Sequence, residues 1–193
     1  MPRARRGRDA EPVDESDPGP EADPEAVARE IVLRKLSAQA RSRGELAKAL
    51  ADRRVPESAA SGVLDRFEEV GLVDDAAFAE TWVRSRQSRR HLSKRVLRQE
   101  LIRKGVGRDE IDNALEQVGS DDEYSAAQEL AAKKLRTMSG LERAVKYRRL
   151  AGALGRRGFG PGTISQVLSE VLDQDAVTDD TDDDPGVQTP FDS

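Results

Sequence analysis

One hydrophobic pattern occurs three times along this chain, and it restricts the possible folds more than any single residue does. Each copy places five apolar residues at internal spacings of 4, 10, 4 and 3, and the copies are offset by 51 and then 53 residues. The copies are Leu46, Leu50, Ala60, Leu64 and Phe67; Leu97, Leu101, Ile111, Leu115 and Val118; and Leu150, Leu154, Ile164, Leu168 and Val171. A period of about 50 residues is typical of tandem repeats, in which each unit has an apolar face that its neighbours help to cover. Such an array predicts a binding surface rather than a catalytic pocket.

The hydrophobic period is helical between the two termini, and no segment alternates as a half-buried strand does. Ser42 is followed three residues later by Glu45, which predicts a capping box at the start of a helix. Ser93 is the expected cap of a later helix that Gly105 is placed to end, and Gly71 is placed to end the helix that starts at Pro56. These signals predict nine helices in three groups of three, an all-α fold built from three tandem three-helix repeats.

Composition divides the chain into a body and two acidic tails. Residues 1–25 hold four Arg and eight acidic residues, and residues 173–193 hold eight Asp and neither Lys nor Arg. Such polar segments bury too little apolar surface to offset the entropy of ordering, so both are predicted to be disordered. The Asp cluster at 179–184 lacks the ligand spacing of an EF-hand loop, which favours a solvated tail over a calcium site. The expected repeats are residues 26–71, 72–119 and 120–172.

The body is basic although the whole chain is acidic. Residues 26–172 contain 28 basic and 21 acidic residues, a formal charge of +7, whereas the whole chain carries −5. Nine bases lie between Arg84 and Lys104, opposed only by Glu100. Surfaces of this kind attract nucleic acid or acidic protein surfaces. The alternative for such a charge run is an ordinary solvated helix face.

Smaller basic clusters near the same helix end in the other repeats predict a stripe of bases along the array, able to bind phosphates or acidic groups. Within it, Lys94, Arg95 and Arg98 share one arc of a helix beside Leu97 and Leu101. The candidate binding residues are Arg84, Arg86, Arg89, Arg90, Lys94, Arg95, Arg98, Arg103, Lys104, Arg148, Arg149, Arg156 and Arg157.

Residue types argue against catalysis and against a cofactor or metal. The chain has no Cys, which excludes disulfides and thiolate zinc sites. His91 is the only histidine, and no phosphate-binding loop occurs. Trp82 follows Phe78 by four residues on an apolar helical face, which favours core packing over base stacking. We expect a protein that is not an enzyme and that needs no cofactor.

No apolar run in the sequence approaches the ~20 residues needed to cross a bilayer, and no apolar segment follows the Arg-rich start. We therefore expect a cytoplasmic protein that does not bind membranes.

Four segments, taken in order, resemble the motifs of the RecX family, regulators of the RecA recombinase. The most specific is GLVDDAAFAETWVRSR at 71–86, a Gly-x-apolar-Asp-Asp turn followed by Phe-Ala, an aromatic-apolar pair and a base. The others are RSRGEL at 41–46, QELIRKGV at 99–106 and RRGF at 156–159. One departure lies in the turn at 89–93, where the family often has a Gly and this chain reads RRHLS.

The resemblance implies a fold and a function. It implies an elongated, curved array of three three-helix repeats that lies, as a monomer, along the RecA–single-strand DNA filament. There it limits filament growth or promotes shrinkage, and so depresses strand exchange, ATP hydrolysis and coprotease activity. The processes implied are homologous recombination, DNA repair and the SOS response. The candidate bases are then the expected contacts to the filament or to its DNA.

Two other functions fit the same residues. Three-helix units with short turns resemble helix-turn-helix modules, so the chain could be a self-standing DNA-binding protein. A helical scaffold with a different protein partner has the same shape. The Asp-rich tail has two interpretations as well: a damper that competes for the basic stripe at low salt, or a solubilising tail without a regulatory effect.

Overall fold

The structure, a computed structural model, describes residues 23–181. These residues form nine helices and, within that range, no strand, which confirms the all-α prediction. The helices are α1 (Pro24–Ala38), α2 (Arg43–Ala51), α3 (Glu57–Glu69), α4 (Asp75–Arg90), α5 (Lys94–Arg103), α6 (Arg108–Glu116), α7 (Ser120–Leu135), α8 (Arg143–Arg156) and α9 (Pro161–Thr181).

The helices pack in three groups, each around its own core. Helices α1–α3 enclose a core that runs from Ala28 to Val73, and α4–α6 enclose one from Phe78 to Val118. Helices α7–α9 enclose a third, from Ala126 to Leu172. Fourteen of the fifteen residues of the repeated pattern are buried, and only Ile164 is half-buried. The three-helix repeats are thus confirmed; we call them repeat 1 (α1–α3), repeat 2 (α4–α6) and repeat 3 (α7–α9).

Two helix starts are fixed by serines whose side chains are fully buried. Ser42 Oγ accepts the backbone N–H of Glu45 at 3.2 Å, and a Glu45 carboxylate oxygen accepts the backbone N–H of Ser42 at 3.4 Å. Ser93 Oγ likewise accepts the backbone N–H of Val96 at 3.4 Å. Both predicted caps are confirmed. Because the two hydroxyls are inaccessible to water, their bonds also orient α2 and α5 against their surroundings.

The last helix is longer than the sequence predicts. Disorder was expected from residue 173, but α9 continues to Thr181, so the prediction is wrong for residues 173–181. The physical reason lies in α8, where Arg143 pairs with Asp173 and Lys146 pairs with Asp175, each at 2.6 Å. These contacts neutralise aspartates that composition alone assigns to a solvated tail.

The first helix also starts slightly earlier than expected. It begins at Pro24, inside the predicted tail, and Asp23 caps it by accepting the backbone N–H of Glu25 at 3.1 Å. Proline is favoured there because its missing N–H has no partner at a helix start. The rest of the two predicted disordered tails, residues 1–22 and 182–193, lies outside the described residues.

Left-handed backbone occurs at equivalent places just after the second helix of each repeat. Arg54, Gly105 and Gly158 have φ of 60°, 76° and 91°, and each lies four residues after the second leucine of its copy of the pattern. Glycine adopts this conformation without strain, whereas other residues do so at a cost. His91, in the turn where related motifs often carry Gly, also has a positive φ, of 48°.

Candidate binding surface and the joints between repeats

Repeats 1 and 2 meet where the start of α2 touches the end of α5. Ser42 Oγ donates to the backbone oxygen of Lys104 at 2.5 Å, and Lys104 Nζ lies 2.7 Å from Glu45 Oε1. Gly44 and Gly105 approach so closely that a Cβ added to Gly44 would lie 2.7 Å from the Cα of Gly105. A side chain at either glycine would therefore push the two repeats apart.

A carboxylate completes this contact. Asp75 Oδ1 accepts the backbone N–H of Arg43 at 2.7 Å, while the Arg43 guanidinium bonds Asp65 and Glu68, each at 2.7 Å. Burial raises the pKa of Asp75, and the N–H of Arg43 partly opposes that rise. We call the contacts of residues 42–45 with Asp75 and residues 104–105 the first joint.

Repeats 2 and 3 meet through the same elements one unit further along. The backbone N–H of Ser93 donates to the backbone oxygen of Arg157 at 3.1 Å. A Cβ added to Gly158 would lie 2.5 Å from Ser93 Oγ. The backbone N–H of Lys94 donates to Glu123 Oε1 at 3.3 Å. We call the contacts of residues 93–96 with Glu123 and residues 157–158 the second joint.

Trp82 lies beside the first joint and is held by charged groups. Its ring packs against the core of repeat 2 and is half-buried, with the Phe78 ring centroid 5.8 Å away. The Arg86 guanidinium and the Lys104 ammonium each lie 4.0 Å from the ring centroid, an arrangement that attracts cations to the ring face. The indole Nε1 donates to Glu100 Oε2 at 2.9 Å. The ring thus does pack against a core, as expected, but its exposed part is covered by cations.

The structure places the side chains of three of the thirteen candidate bases in or beside the joints. Lys104 is held by Glu45 and by the rings, and Arg86 Nε lies 3.3 Å from Glu100 Oε2. The Arg157 side chain donates to the backbone oxygen of Arg90. Sequence patterns do not separate these three cations from solvated ones, because their partners lie in other helices.

Two further candidates contact other helices. Arg98, although exposed, pairs with Asp112 of α6. Lys94 is half-buried, and its backbone N–H donates to Glu123 of α7 in the second joint. Only Arg95 of the predicted arc is both exposed and without an ion pair among the residues that the structure describes.

The remaining exposed bases form the candidate binding surface. Each makes no ion pair within residues 23–181. They are Arg84, Arg89, Arg90, Arg95, Arg103, Arg148, Arg149 and Arg156. Arg95 and Arg148 are 53 residues apart, as are Arg103 and Arg156, so α5 and α8 carry two bases at equivalent positions. We define these eight residues as the basic surface.

Other kinds of site are not apparent in the described part of the chain. Between residues 23 and 181, no three His, Asp or Glu side chains are grouped as a metal site requires. None of the helices described is long and apolar enough to cross a membrane. A cleft of about 410 Å³ opens beside Trp82, with Leu36, Leu72 and Phe78 among its lining residues.

Comparison with known families gives three matches in chain order. A family model described as RecX, first three-helix domain, matches residues 28–67. The models for the second and third three-helix domains of RecX match residues 74–115 and 121–168. The matches therefore follow the three helix groups of the structure.

Named relatives align over most of the chain. The regulatory protein RecX of Streptomyces coelicolor is 46% identical over 156 residues, which are 81% of this chain and 83% of the relative. The regulatory protein RecX of Thermobifida fusca is 40% identical over 178 residues, 91% of this chain and 93% of the relative.

Solved structures have a similar fold. The crystal structure of RecX from Lactobacillus salivarius superposes with a TM-score of 0.69 at 22% identity, covering 78% of this chain and 98% of that one. Another, a crystal structure of regulatory protein RecX, has a TM-score of 0.67 at 27% identity, covering 75% and 73%.

Proposed function

The chain belongs to the RecX family, and on that premise we propose that it is a regulatory protein that binds RecA or the RecA–single-strand DNA filament. Binding inhibits the recombinase, ATPase and coprotease activities of RecA. The protein acts as a monomer in the cytoplasm, within recombination, DNA repair and the SOS response. It does so by occupying a surface rather than by catalysing a reaction, and it needs no cofactor.

The recurrence of exposed bases on successive repeats is the observation that supports this proposal best. Arg95 and Arg103 on α5 are repeated by Arg148 and Arg156 on α8, without an ion pair among the described residues to neutralise them. A filament presents the same acidic groups or phosphates at regular intervals. Several weak contacts made at once give high avidity without one deep pocket.

A self-standing DNA-binding protein is the alternative that the same bases support. Phosphates bind Arg without regard to sequence, and that binding weakens steeply with salt. The two functions differ in what they require: DNA alone is enough for the alternative, whereas the proposed function requires RecA. A helical scaffold with another partner would need neither.

The test is the DNA-dependent ATPase rate of RecA at moderate salt, with the wild-type chain and with the double variant Arg95→Glu/Arg148→Glu. We expect the wild-type chain to lower the rate and the variant to need about tenfold or more protein for the same inhibition, since two phosphate or acid contacts become repulsive. Both side chains are exposed and outside the cores, so circular dichroism should show unchanged helicity.

The matched control is Arg29→Glu/Arg34→Glu, which makes the same change of charge at two exposed positions on α1. It should inhibit like the wild-type chain. Full inhibition by Arg95→Glu/Arg148→Glu would remove these bases from the binding surface. A wild-type chain that binds single-strand DNA tightly but leaves the ATPase rate unchanged would favour the alternative function.

A further inference from the structure

In both joints, a carboxylate from the first helix of one repeat meets the start of the second helix of the repeat before it. Asp75 of α4 accepts the backbone N–H of Arg43, and Glu123 of α7 accepts the backbone N–H of Lys94. Arg43 and Lys94 are the first residues of α2 and α5, and they are 51 residues apart, the offset of the first two copies of the pattern. The two joints therefore share one contact, a carboxylate that accepts the first backbone N–H of the second helix in the preceding repeat.

Repeat 3 has no following repeat within the described residues, yet the same place is occupied. Lys146 stands 53 residues after Ser93, and its side chain is only 8% exposed. Its Nζ bonds Asp175 Oδ2 at 2.6 Å. Asp175 in turn stands 53 residues after Asp122, the neighbour of Glu123. In repeat 2 the chain leaves α6 at Glu116 and turns into α7, whereas in repeat 3 the last helix continues straight on.

The extended part of α9 makes a second contact with α8. Arg143 Nη1 donates to the backbone oxygen of Leu172 at 2.9 Å, and its Nη2 donates to Asp173 Oδ1 at 2.6 Å. Leu141 and Ala176 line a small recess of about 160 Å³ at the same place. The extension therefore lies against the start of α8 through two ion pairs and apolar side chains.

Repeat 1, at the other end of the array, lacks the glycine that both joints contain. At the two joints, the residue four positions after the second pattern leucine is Gly105 or Gly158, because the neighbouring backbone or side chain leaves no space for a Cβ. In repeat 1, which has no preceding repeat in the described part, that residue is Arg54, in spite of a φ of 60°. Glycine therefore occupies this position where a preceding repeat packs against it, and Arg occupies it where the described residues contain no preceding repeat.

We propose that residues 173–177 of α9 form an intramolecular cap on the docking surface at the start of α8, in the place where the first helix of a fourth repeat would lie. Arrays of repeats expose such a surface at their ends, and a differing terminal segment is needed to cover it. The cap pairs the buried Lys146 ammonium with the carboxylate of Asp175. Asp173 and Asp175 thus have a structural role separate from the basic surface.

The test compares one variant at each of the three carboxylates that contact the start of a second helix, in the full chain, by amide hydrogen exchange. The variants are Asp75→Ala, Glu123→Ala and Asp175→Ala. Each should speed exchange about tenfold in the first two turns of one helix only, namely α2, α5 and α8 respectively, because local opening is controlled by the contact that is lost. Glu116→Ala, which removes an exposed carboxylate without a hydrogen bond or ion pair in the described part of the chain, is the control and should change none of them.

A response of α2 and α5 without one in α8 would overturn the cap, and so would exchange in α8 that matches the Glu116→Ala control. A charge swap supplies an independent readout. Lys146→Glu alone should speed exchange in α8, and Lys146→Glu/Asp175→Lys should restore slow exchange. Equally fast exchange in the single and double variants would show that the pair does not hold the extension in place.

Discussion

At the scale of single residues, equivalent positions in repeats 1 and 2 share a left-handed backbone but differ in the space left for a side chain. Gly105 has a φ of 76°, and a Cβ there would lie 2.8 Å from the Cα of Gly44. Arg54, at the equivalent position in repeat 1, has a φ of 60° and no preceding repeat within residues 23–181. The backbone conformation is shared, but only one of the two positions also carries an interface.

We predict that Gly105→Ala and Arg54→Gly change the free energy of unfolding in opposite directions. Gly105→Ala should lower it by about 2–4 kcal/mol through strain and overpacking. Arg54→Gly should raise it by about 0.5 kcal/mol, because release of left-handed strain of about 1–2 kcal/mol exceeds the entropy cost of Gly. Urea denaturation of both variants measures the effect. Equal destabilisation would mean that the position makes the same contacts in both repeats.

Trp82 provides a second prediction at this scale. Since the ring is half-buried, Trp82→Ala should lower the free energy of unfolding by about 2–3 kcal/mol, less than a fully buried ring would lose. Trp82→Phe keeps an aromatic face for Arg86 and Lys104 but removes the donor to Glu100, so about 1 kcal/mol should be lost. A melting temperature unchanged by Trp82→Ala, together with lost RecA inhibition, would show that the ring contacts the partner.

At the scale of helices, the serine hydroxyls that cap α2 and α5 make different numbers of hydrogen bonds. Ser42 Oγ accepts one N–H and also donates to Lys104 in the next repeat. Ser93 Oγ accepts one N–H, and the contact from Ser93 to the next repeat is made by its backbone. One hydroxyl thus joins two repeats, whereas the other serves its own helix.

We therefore predict that Ser42→Ala is the more damaging of two chemically identical changes. It should cost about 2–3 kcal/mol of unfolding free energy, the sum of a lost cap and a buried carbonyl left without its donor. Ser93→Ala should cost about 1 kcal/mol. Thermal denaturation monitored by circular dichroism compares them directly. A larger loss for Ser93→Ala would contradict the assignment of the inter-repeat bond to the Ser42 hydroxyl.

Local signals in the sequence were enough to find most of the helices. The capping box of Ser42 and Glu45 and the repeated leucines depend on residues a few positions apart, and both appear as predicted. The joints were not predicted, because Ser42 and Lys104 are 62 residues apart and neither is unusual for its own helix. Local patterns do not predict the α9 extension for the same reason: Asp173 and Asp175 pair with residues of α8 rather than with their own neighbours.

The sequence predicts which residues are basic, but it does not predict which of their side chains are exposed and free of ion pairs. A cluster of bases is visible in the sequence, but only the fold shows that Lys104 lies in a joint while Arg95 lies in solvent. Helical periodicity alone put Lys94, Arg95 and Arg98 in one group. The structure separates them because Asp112 of α6 pairs with the Arg98 guanidinium and Lys94 is half-buried, whereas Arg95 is exposed.

At the scale of the whole molecule, charge is divided between a basic body and an acidic C-terminal sequence. Truncation after Leu172, the direct test of the damper hypothesis, would also remove the helical residues 173–181. Truncation after Thr181 instead removes Asp182, Asp183, Asp184 and Asp192 and keeps all of α9. This variant separates the effect of charge from the effect of the cap.

If the hypothesis holds, the chain that ends at Thr181 binds single-strand DNA or RecA filaments more tightly than the full chain at low salt. The difference should shrink toward physiological salt, where the Debye length is about 8 Å. Fluorescence anisotropy over a salt series measures it. Equal binding of the two chains at low salt would leave the segment a solubilising role only.

The separation of the three cores has a consequence for how the chain is made. The core of repeat 1 ends at Val73, that of repeat 2 begins at Phe78 and ends at Val118, and that of repeat 3 begins at Ala126. No core includes a side chain from a later repeat, so we expect each core to form once its own stretch has left the ribosome. We therefore expect the repeats to fold in the order of their synthesis, as domains generally do.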